Sequence, residues 1–400
     1  MPPRSPDNPH IIGLTGSFGS GCTYVARQVL EKRGYKYISL SDVLKRAYRK
    51  AGKGNPTTAQ RRAFQDFGDT TRTARGGGFF AKKALHTIEK AGGRQQWVVD
   101  SIRNPEEVEV LRDFSRAFFL FGIYADRETR WERIKDKYKG NRKTFEADDT
   151  NDAGKTSTQH GQRVQDCFAD ADVVFSNDEH IEAIGNDVYK ALDGRIGQYV
   201  DLVSHPLTRQ QPSTPETLMT MAYAISQKSS CLKRKVGAVI VDPLDNVLSS
   251  GYNEVPMGET ACSHKYRKCH RDHFCDDFFG TLKDSFPEVK GKERQLRMKF
   301  REAFRILDLC RALHAEEIAI LNLARNGRSV PLDGCTLYAT TYPCRLCANK
   351  IATVGIKNVV YVEPYPDPEA KIILEAANVE SRFFEGVTFK GYFRVYGETK

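Results

Sequence analysis

Short apolar runs alternate with amphipathic segments along the first half of the chain. The runs have the length of buried strands, and the segments between them repeat apolar residues at helical spacing. The clearest runs are Ile11–Leu14, Trp97–Asp100 and Phe118–Phe121. Strands that alternate with helices in this way predict a parallel sheet with helices on both faces.

The second half has the same class of pattern with different details. The predicted strands are Val236–Val241, Val247–Tyr252, Thr336–Ala339 and Val359–Val362. The predicted helices are Pro215–Ser229, Leu313–Arg325 and Cys344–Val354, and an irregular stretch rich in charge, Cys and His covers 253–299. This pattern predicts a three-layer α/β/α domain.

A polar, proline-bearing stretch over 203–216 separates the two halves and is typical of a linker. Within it, Ser213-Thr214-Pro215-Glu216 has the form of a capping box with proline in the first turn, which predicts the start of a helix. The sequence therefore predicts an α/β chain of two domains, 1–204 and 205–400.

Composition excludes several classes of protein. The chain has 400 residues, enough for two or three domains that bury a core without disulfides. No run approaches the roughly 20 apolar residues of a membrane-spanning helix, and the first ten residues lack the apolar core of a secretory signal. We therefore expect a soluble, cytoplasmic protein without a membrane partner.

The net charge narrows the ligand class only slightly. The formal charge is +10, from 61 Lys and Arg against 51 Asp and Glu. An excess of positive charge suits phosphorylated ligands, from nucleotides to nucleic acid, but it also fits a surface that only aids solubility.

One constellation in the second half carries specific chemistry. His314, Cys344 and Cys347 are the three ligands that a catalytic zinc takes, which leaves the fourth position for a water with a pKa near 7. Glu316 follows His314 by two residues and can move the protons of that water. The pattern H-x-E…P-C-x-x-C is the signature of zinc deaminases. A structural half-site is the competing interpretation, but it leaves Glu316 and Pro343 unexplained.

The residues around this signature resemble the deoxycytidylate deaminase family over nearly all of 214–400. The stretches that carry the resemblance are Cys231–Val241, Ser250–Asn253, His314–Glu316 and Tyr342–Cys344. The resemblance implies a cytidine-deaminase-like fold and a hydrolase that converts a deoxycytidine nucleotide to the deoxyuridine nucleotide with release of ammonia. It also implies that Asn253 holds the nucleoside and that backbone beside Ala315 reads the pyrimidine. Ile318 departs from the family pattern, since relatives commonly carry Asn there.

Four further residues have less specific chemistry. Asn253 offers both a donor and an acceptor, which suits a sugar hydroxyl or a base edge. Tyr342 could stack on the pyrimidine or simply pack in the core. Arg234, or the adjacent Lys235, could bind a substrate phosphate or belong to a solvated basic cluster.

A second metal is a further hypothesis. The stretch from Cys262 to Cys275 is dense in Cys and His, and some deoxycytidylate deaminases carry an additional structural zinc. Such a metal would hold an irregular insertion in place. Free surface thiols and solvated histidines are the alternative. The candidate ligands are Cys231, Cys262, Cys269 and Cys275.

A glycine-rich loop in the first half has the context of a phosphate-binding loop, because it follows a strand and precedes a helix. Thr23 stands where such loops offer a hydroxyl to Mg²⁺, while Cys22 stands where the lysine is expected. The missing lysine argues against ordinary kinase turnover. An unliganded glycine-rich turn is the competing interpretation. The candidate nucleotide-binding residues are Gly16, Ser17, Gly19, Ser20, Gly21, Cys22 and Thr23.

The first half otherwise resembles P-loop nucleoside-phosphate kinases, in the stretches Ile38–Asp42 and Val99–Pro105 and in the helix with Arg130 and Arg133. A degenerate domain of this kind fused to a deoxycytidylate deaminase resembles bacterial anti-phage deaminases that deplete dCTP and dCMP. The resemblance implies a regulatory nucleotide, residual phosphate transfer as an alternative, and a homo-oligomer, with a hexamer as the expected form. It leaves open whether an inhibitory or activating RNA binds.

Two other functions use the same zinc site. A housekeeping enzyme would supply dUMP for thymidylate synthesis, and a nucleic-acid cytosine deaminase would act on a polynucleotide. Against the latter, no basic and aromatic groove for single strands stands out in the sequence.

Overall fold

The computed structural model describes residues 9–54, 61–92, 95–152, 162–178, 186–204, 211–286, 291–304, 306–325, 327, 331–363 and 367–397. The chain forms two compact units. One unit contains Met1–Glu216 and Phe384–Lys400, and the other contains Thr217–Phe383. Residues 205–210, where the predicted boundary falls, lie outside the described residues.

The first unit is built from strands that alternate with helices. Its early strands are β1 (Ile11–Thr15), β2 (Lys36–Ser39), β3 (Trp97–Ile102), β4 (Phe118–Tyr124) and β5 (Val173–Ser176). An α-helical turn α1 (Cys22–Tyr24) continues as a π-helical stretch, Val25–Leu30, and a 3₁₀ turn, Glu31–Arg33. The helices that follow are α2 (Leu40–Lys50), α3 (Arg61–Arg75), α4 (Phe79–Lys90), α5 (Pro105–Phe114), α6 (Arg127–Ile134), α7 (Arg142–Asp152), α8 (Val164–Ala169) and α9 (Asn186–Ser204), with a 3₁₀ turn at Lys135–Tyr138.

The first sheet confirms the predicted parallel arrangement. Strands β2, β3, β1, β4 and β5 lie side by side in that order, and β1 pairs in parallel with both β3 and β4. Ile12 and Leu14 point to one face, where Val25 and Leu30 of the first helical segment pack against them. On the other face, Phe168 of α8 lies against Gly122 of β4. The strands read as continuous apolar runs because both faces are covered.

The second unit contains a mixed sheet. In chain order its elements are α10 (Thr214–Ser226, which begins in the first unit), β6 (Gly237–Val241), β7 (Val247–Tyr252), α11 (Cys262–Lys265), α12 (His270–Ser285), α13 (Glu293–Ala303), a 3₁₀ turn at Ile306–Leu309, α14 (Ala315–Arg325), β8 (Thr336–Thr341), α15 (Arg345–Val354), β9 (Asn358–Glu363), α16 (Pro368–Ala376) and β10 (Glu380–Phe383). The strand order is β10-β9-β8-β6-β7, with β6 antiparallel to β7 and β8 and the other pairs parallel.

Helices cover both faces of the second sheet, as the α/β prediction requires. Ala238 and Ile240 of β6 share a core with Ala319 of α14 and Ile351 of α15. On the opposite face of β6, a Cβ at Gly237 would lie 1.9 Å from the Ala222 carbonyl oxygen of α10. Glycine at this position therefore allows α10 to lie directly on the sheet.

The end of the chain returns to the first sheet, a feature that the sequence pattern did not predict. Strand β11 (Gly386–Val387) pairs antiparallel with β5, and helix α17 (Phe389–Val395) follows it. Glu216 accepts hydrogen bonds from the Val387 amide at 2.8 Å and from the Tyr396 hydroxyl at 2.9 Å. It also accepts from Ser213, which confirms the predicted capping box.

Across the described part of the chain, every helix is too short or too polar to cross a lipid bilayer.

Candidate active site

Two helix starts bring the predicted zinc ligands together in the second unit. His314 immediately precedes α14, and Cys344 is the N-cap residue of α15, with Cys347 in the first turn. Strand β8 ends at Thr341, so the chain turns directly from the sheet into α15. The partial positive charge at a helix N-terminus favours thiolates at this position.

The three side chains form a compact donor set. The His314 Nδ1 atom lies 3.3 Å from the Cys344 Sγ atom and 3.2 Å from the Cys347 Sγ atom. All three ligand atoms lie within 4.8 Å of one another. A tetrahedral zinc with usual bond lengths separates its nitrogen and sulfur ligands by about 3.5 Å. A small outward movement of the side chains would therefore accommodate the ion, and one nitrogen with two sulfurs is a donor set that zinc favours.

The donor set is electrostatically prepared for a cation. A hydrogen bond from Cys347 and a second one with His314 lower the pKa of Cys344 to about 4, against the opposing effect of burial. The same hydrogen bond to Cys344, together with burial, raises the pKa of Cys347. The pair thus holds one thiolate before any metal binds, and zinc would displace the remaining thiol proton.

Glu316 lies beside this group without belonging to it. Its side chain is on the first turn of α14, and the residue is 4% exposed. Burial raises the pKa of Glu316, while the nearby His314 opposes that shift. A buried carboxyl group next to the ligand set can both accept and return a proton.

Asn253 is tied to the segment that precedes β6. Its side-chain oxygen accepts from the Val236 amide at 2.8 Å, and its amide nitrogen donates to the Arg234 carbonyl oxygen at 2.9 Å. The next residue, Glu254, forms a two-way backbone bridge with Leu313, directly before His314. Asn253 and the candidate ligand His314 are therefore each next to a residue of one backbone bridge.

Arg234 and Tyr342 both have protein partners. Arg234 forms an ion pair with Glu363, and its side chain is 40% exposed. Tyr342 packs edge-on against Tyr361 at a centroid distance of 4.7 Å and belongs to the core cluster of the second sheet. Ala315 is fully buried in the same cluster.

The structure separates the four candidate ligands of a second metal into two environments. Cys275 is 2% exposed and packs with Phe279 and Phe300 between α12 and α13. Cys231, Cys262 and Cys269 are partly exposed. Burial raises the pKa of Cys310, and the charges of Cys231, Cys269 and Cys262 raise it further. Among the described residues, the one group whose ligand atoms are close enough to hold a metal ion is His314, Cys344 and Cys347, so these four thiols do not form a ready-made site.

The glycine-rich loop lies in the first unit, between β1 and α1. Gly19 and Gly21 have φ values of +88° and +108°, which favour glycine. The Thr23 hydroxyl donates to the Asp100 Oδ2 atom at 2.9 Å. Burial, reinforced by Asp100, raises the pKa of Cys22 to about 12, so this position carries no charge at neutral pH.

Two residues that shape the site were not singled out from the sequence. Gly251 of β7 lies against the first turn of α14, where a Cβ would be 2.3 Å from the Ala315 carbonyl oxygen. Asp367 accepts a hydrogen bond from the Arg345 amide at 3.2 Å at the start of α15. The sequence did contain a signal for each residue. Gly251 is a glycine inside a predicted strand, which often marks a close backbone approach, and Asp367 precedes Pro368 at a helix start.

Comparison with known proteins identifies relatives of the unit that holds this site. The family model for the cytidine and deoxycytidylate deaminase zinc-binding region matches residues 212–363. Deoxycytidylate deaminase of Schizosaccharomyces pombe is 30% identical over 295 residues, which cover 72% of this chain and 77% of that protein. The part of this chain that matches is longer than the whole second unit, so the similarity to this relative extends into the first unit.

A phage protein and a solved structure are also similar. Deoxycytidylate deaminase of Enterobacteria phage T4 is 36% identical over 180 residues, which cover 41% of this chain and 86% of the phage protein. The crystal structure of dCMP deaminase from cyanophage S-TIM5 in complex with dCMP and dUMP shares 25% identity. It covers 44% of this chain and 99% of that chain, with a TM-score of 0.30.

Proposed function

Because the chain belongs to the deoxycytidylate deaminase family, we propose that it catalyses the zinc-dependent hydrolytic deamination of dCMP to dUMP. The observation that carries this proposal is the convergence of His314, Cys344 and Cys347 at two helix starts, with the buried Glu316 beside them. The relatives from Schizosaccharomyces pombe and phage T4 are both named deoxycytidylate deaminase, which supports dCMP as the substrate and dUMP as the product.

His314, Cys344 and Cys347 would hold the zinc ion. When bound, zinc supplies a Lewis acid that lowers the pKa of a coordinated water. The ligand side chains start from two helix termini, which would hold them in place around the ion. No other side chain of the site is needed as a ligand, so Glu316 remains free for proton transfer.

Glu316 would move the protons of the reaction. A new bond forms between the water oxygen and C4 of cytosine, and the bond between C4 and the amino nitrogen breaks. Both protons of the water end on the substrate, one on N3 and one on the amino group, which leaves as ammonia, and Glu316 would carry them in turn. General acid–base catalysis of this kind contributes about 10²–10⁴-fold to a rate.

Asn253 and Arg234 are the proposed contacts to the rest of the substrate. The Asn253 side chain holds the segment 234–236 in place and retains acceptor capacity for a sugar hydroxyl. Arg234 would exchange its ion pair with Glu363 for a bond to the substrate phosphate. Tyr342 supports the site by packing on Tyr361, and backbone beside Ala315 would read the pyrimidine.

The cellular role is proposed from the resemblance to anti-phage deaminases: consumption of dCTP as well as dCMP, which would limit phage DNA synthesis. Supply of dUMP for thymidylate synthesis fits the same catalytic site equally well. Conversion of dCTP favours the first role. Conversion of dCMP alone, with feedback by dCTP and dTTP, favours the second.

The decisive experiment is product analysis with zinc-loaded protein and four substrates: dCMP, dCTP, CTP and cytosine-bearing single-stranded DNA. We expect deoxyuridine nucleotides and ammonia from the free deoxynucleotides. Conversion of DNA alone would overturn the proposal and would assign the enzyme to polynucleotides. Absence of turnover on dCMP and dCTP would also contradict it.

For the first unit we propose nucleotide binding at the loop 16–23. Two features of the loop support a phosphate site. Gly19 and Gly21 have positive φ values, and the Thr23 hydroxyl donates a hydrogen bond to Asp100. A Cβ at Gly21 would lie 2.5 Å from the Asn177 side chain. Gly21→Ala should therefore abolish binding of magnesium triphosphate, measured by calorimetry on the full chain. Unchanged binding would contradict the proposal.

A second, structural zinc is proposed at Cys231, Cys262 and Cys269, whose side chains would have to move together to hold it. Cys310 is the proposed fourth ligand, because Cys275 is buried with Phe279 and Phe300. Metal analysis should give two zinc ions per chain, falling to one in Cys310→Ser and staying at two in Cys275→Ser. One zinc per chain in the unaltered protein would contradict this proposal while leaving the catalytic one intact.

A further inference from the structure

The positive charge that is missing from the glycine-rich loop is present on a neighbouring segment. Cys22 occupies the loop position where phosphate-binding loops carry lysine, and its thiol is neutral. Arg103 follows β3 closely and interacts electrostatically with both Cys22 and Asp100. The Thr15 hydroxyl, directly before the loop, donates to the carbonyl oxygen of Ile102, directly before Arg103, at 3.0 Å. The backbone of Arg103 therefore lies beside the loop, where a bound phosphate would need a cation.

Arg103 is held by an acid from another element. It forms an ion pair with Asp152, the last residue of α7. The Asp152 side chain is fully buried and the Arg103 side chain is 19% exposed. Among the described residues, the Asp152 Oδ2 atom has no hydrogen-bond partner. Among the described residues, one of the two carboxylate oxygens is thus buried without a hydrogen bond, which lowers the net stability that the ion pair contributes.

Helix α7 also packs on the loop itself. Phe145 of α7 contacts Phe18 of the loop edge-on at a centroid distance of 5.4 Å. Asp149 of α7 binds Arg130 of α6 at 2.6 Å, and the Arg130 guanidinium donates to the Phe18 carbonyl oxygen at 3.3 Å. One helix therefore covers the loop and delivers a carboxylate to the arginine beside it.

A buried acid of β3, on the same segment as Arg103, points to a bound cation. Asp100 is 1% exposed, and its Oδ2 atom accepts from the hydroxyls of Thr23 and Tyr37. Its Oδ1 atom has no hydrogen-bond partner among the described residues. An unsatisfied carboxylate oxygen next to a threonine hydroxyl is a donor set for Mg²⁺, which commonly accompanies phosphates.

We propose that Arg103 supplies the phosphate-binding charge that Cys22 lacks. While no phosphate is bound, Arg103 forms its ion pair with Asp152 instead. The ligand class is a magnesium-complexed polyphosphate, as in a nucleoside triphosphate. This inference rests on the proposed nucleotide binding at the loop 16–23 and goes beyond it by assigning the cation and its competitor. Ligand binding exchanges a carboxylate for a phosphate on Arg103, so the end of α7 must move.

The test is calorimetric titration of the zinc-loaded full chain with magnesium triphosphate. Arg103→Gln should weaken binding by about tenfold or more, because a charge-assisted hydrogen bond is lost. Asp152→Asn should tighten binding by about threefold or more, because it keeps the shape and removes the competing charge. In the Arg103→Gln background, Asp152→Asn should give no such gain. Asp113→Asn, which removes an exposed carboxylate from α5, is the matched control and should leave affinity unchanged.

Hydrogen exchange on the unaltered protein tests the same inference without a substitution. Triphosphate should increase amide exchange at the C-terminal turn of α7, which a ligand that leaves Asp152 in place would not do.

Equal affinity of Arg103→Gln and wild type overturns the inference, as does the absence of binding by both wild type and Asp152→Asn. If Gly21→Ala abolishes binding and Arg103→Gln does not, the loop binds phosphate but Arg103 is not its cation. Deamination of dCMP is measured separately and does not depend on either result.

Discussion

At the scale of single residues, the site depends on side chains that also hold neighbouring backbone in place. Asn253 uses both ends of its amide to fix the backbone of residues 234 and 236. Glu254 accepts from the backbone and hydroxyl of Ser230, at 2.8 and 2.6 Å. These bonds position the residues that would meet the substrate, so catalysis and local order are coupled at this point.

The first prediction concerns Asn253→Ala. The change leaves the Val236 amide and the Arg234 carbonyl oxygen without their partner, which should cost about 1–3 kcal/mol of unfolding free energy. It should also raise KM for dCMP, because Arg234 loses its support. Thermal unfolding and steady-state kinetics check both effects. Asn349→Ala, on the exposed side of α15, is the control, and equal KM values for Asn253→Ala and wild type would contradict the assignment.

At the scale of elements, the catalytic geometry follows from how α14 and α15 meet the sheet. Helix α14 lies so close to β7 that residue 251 has no room for a side chain. Helix α15 begins immediately after β8 and is anchored by Asp367. The start of α14 is thus fixed by close backbone packing, and the start of α15 by a carboxylate that binds its first backbone amide.

The second prediction follows from that contact. Gly251→Ala should push α14 away from β7, destabilise the protein by about 1–3 kcal/mol and lower zinc content, because His314 moves with the helix. Gly280→Ala is the matched control, since its Cβ meets nothing within 4 Å on helix α12 and alanine favours helix. Chemical denaturation and metal analysis give the readouts. Equal zinc content and stability in the two variants would contradict the argument.

At the scale of the whole molecule, the C-terminal segment belongs to the first unit although it follows the second in the chain. Strand β11 pairs with β5, and Arg394 of α17 donates to the Asp172 carboxylate at 2.5 Å and to the Phe118 carbonyl oxygen at 2.6 Å. Residues that are distant in sequence thus complete the edge of the first sheet.

The third prediction is that removal of residues 384–400 destabilises the first unit. The deletion exposes the edge of β5 and removes two partners of the buried Glu216, which leaves a charged group poorly satisfied. We expect faster hydrogen exchange in β5 and a greater tendency to aggregate. Phe393→Ala, which alters an exposed side chain of the same segment, should change neither. Unaltered exchange in the truncated protein would contradict this role.

The sequence predicted local features well because they depend on neighbours in the chain. The apolar runs became β1, β3, β4, β6, β7, β8 and β9, and the H-x-E and P-C-x-x-C spacings correspond to three candidate zinc ligands that meet at two helix starts. It could not predict features that depend on distant contacts. The return of β11 to β5, the meeting of Arg103 with Asp152 and the packing of Cys275 apart from the other thiols are of this kind.

The central claim is that Glu316 moves protons at a zinc site made by His314, Cys344 and Cys347. The most direct test compares dUMP and ammonia release from dCMP by wild type and Glu316→Gln, with zinc measured in the same samples. Because Glu316 lies beside the donor set and is not one of its members, zinc content should stay at the wild-type level. Turnover should fall by about 10²–10⁴-fold. Wild-type turnover by the zinc-loaded variant would contradict the account.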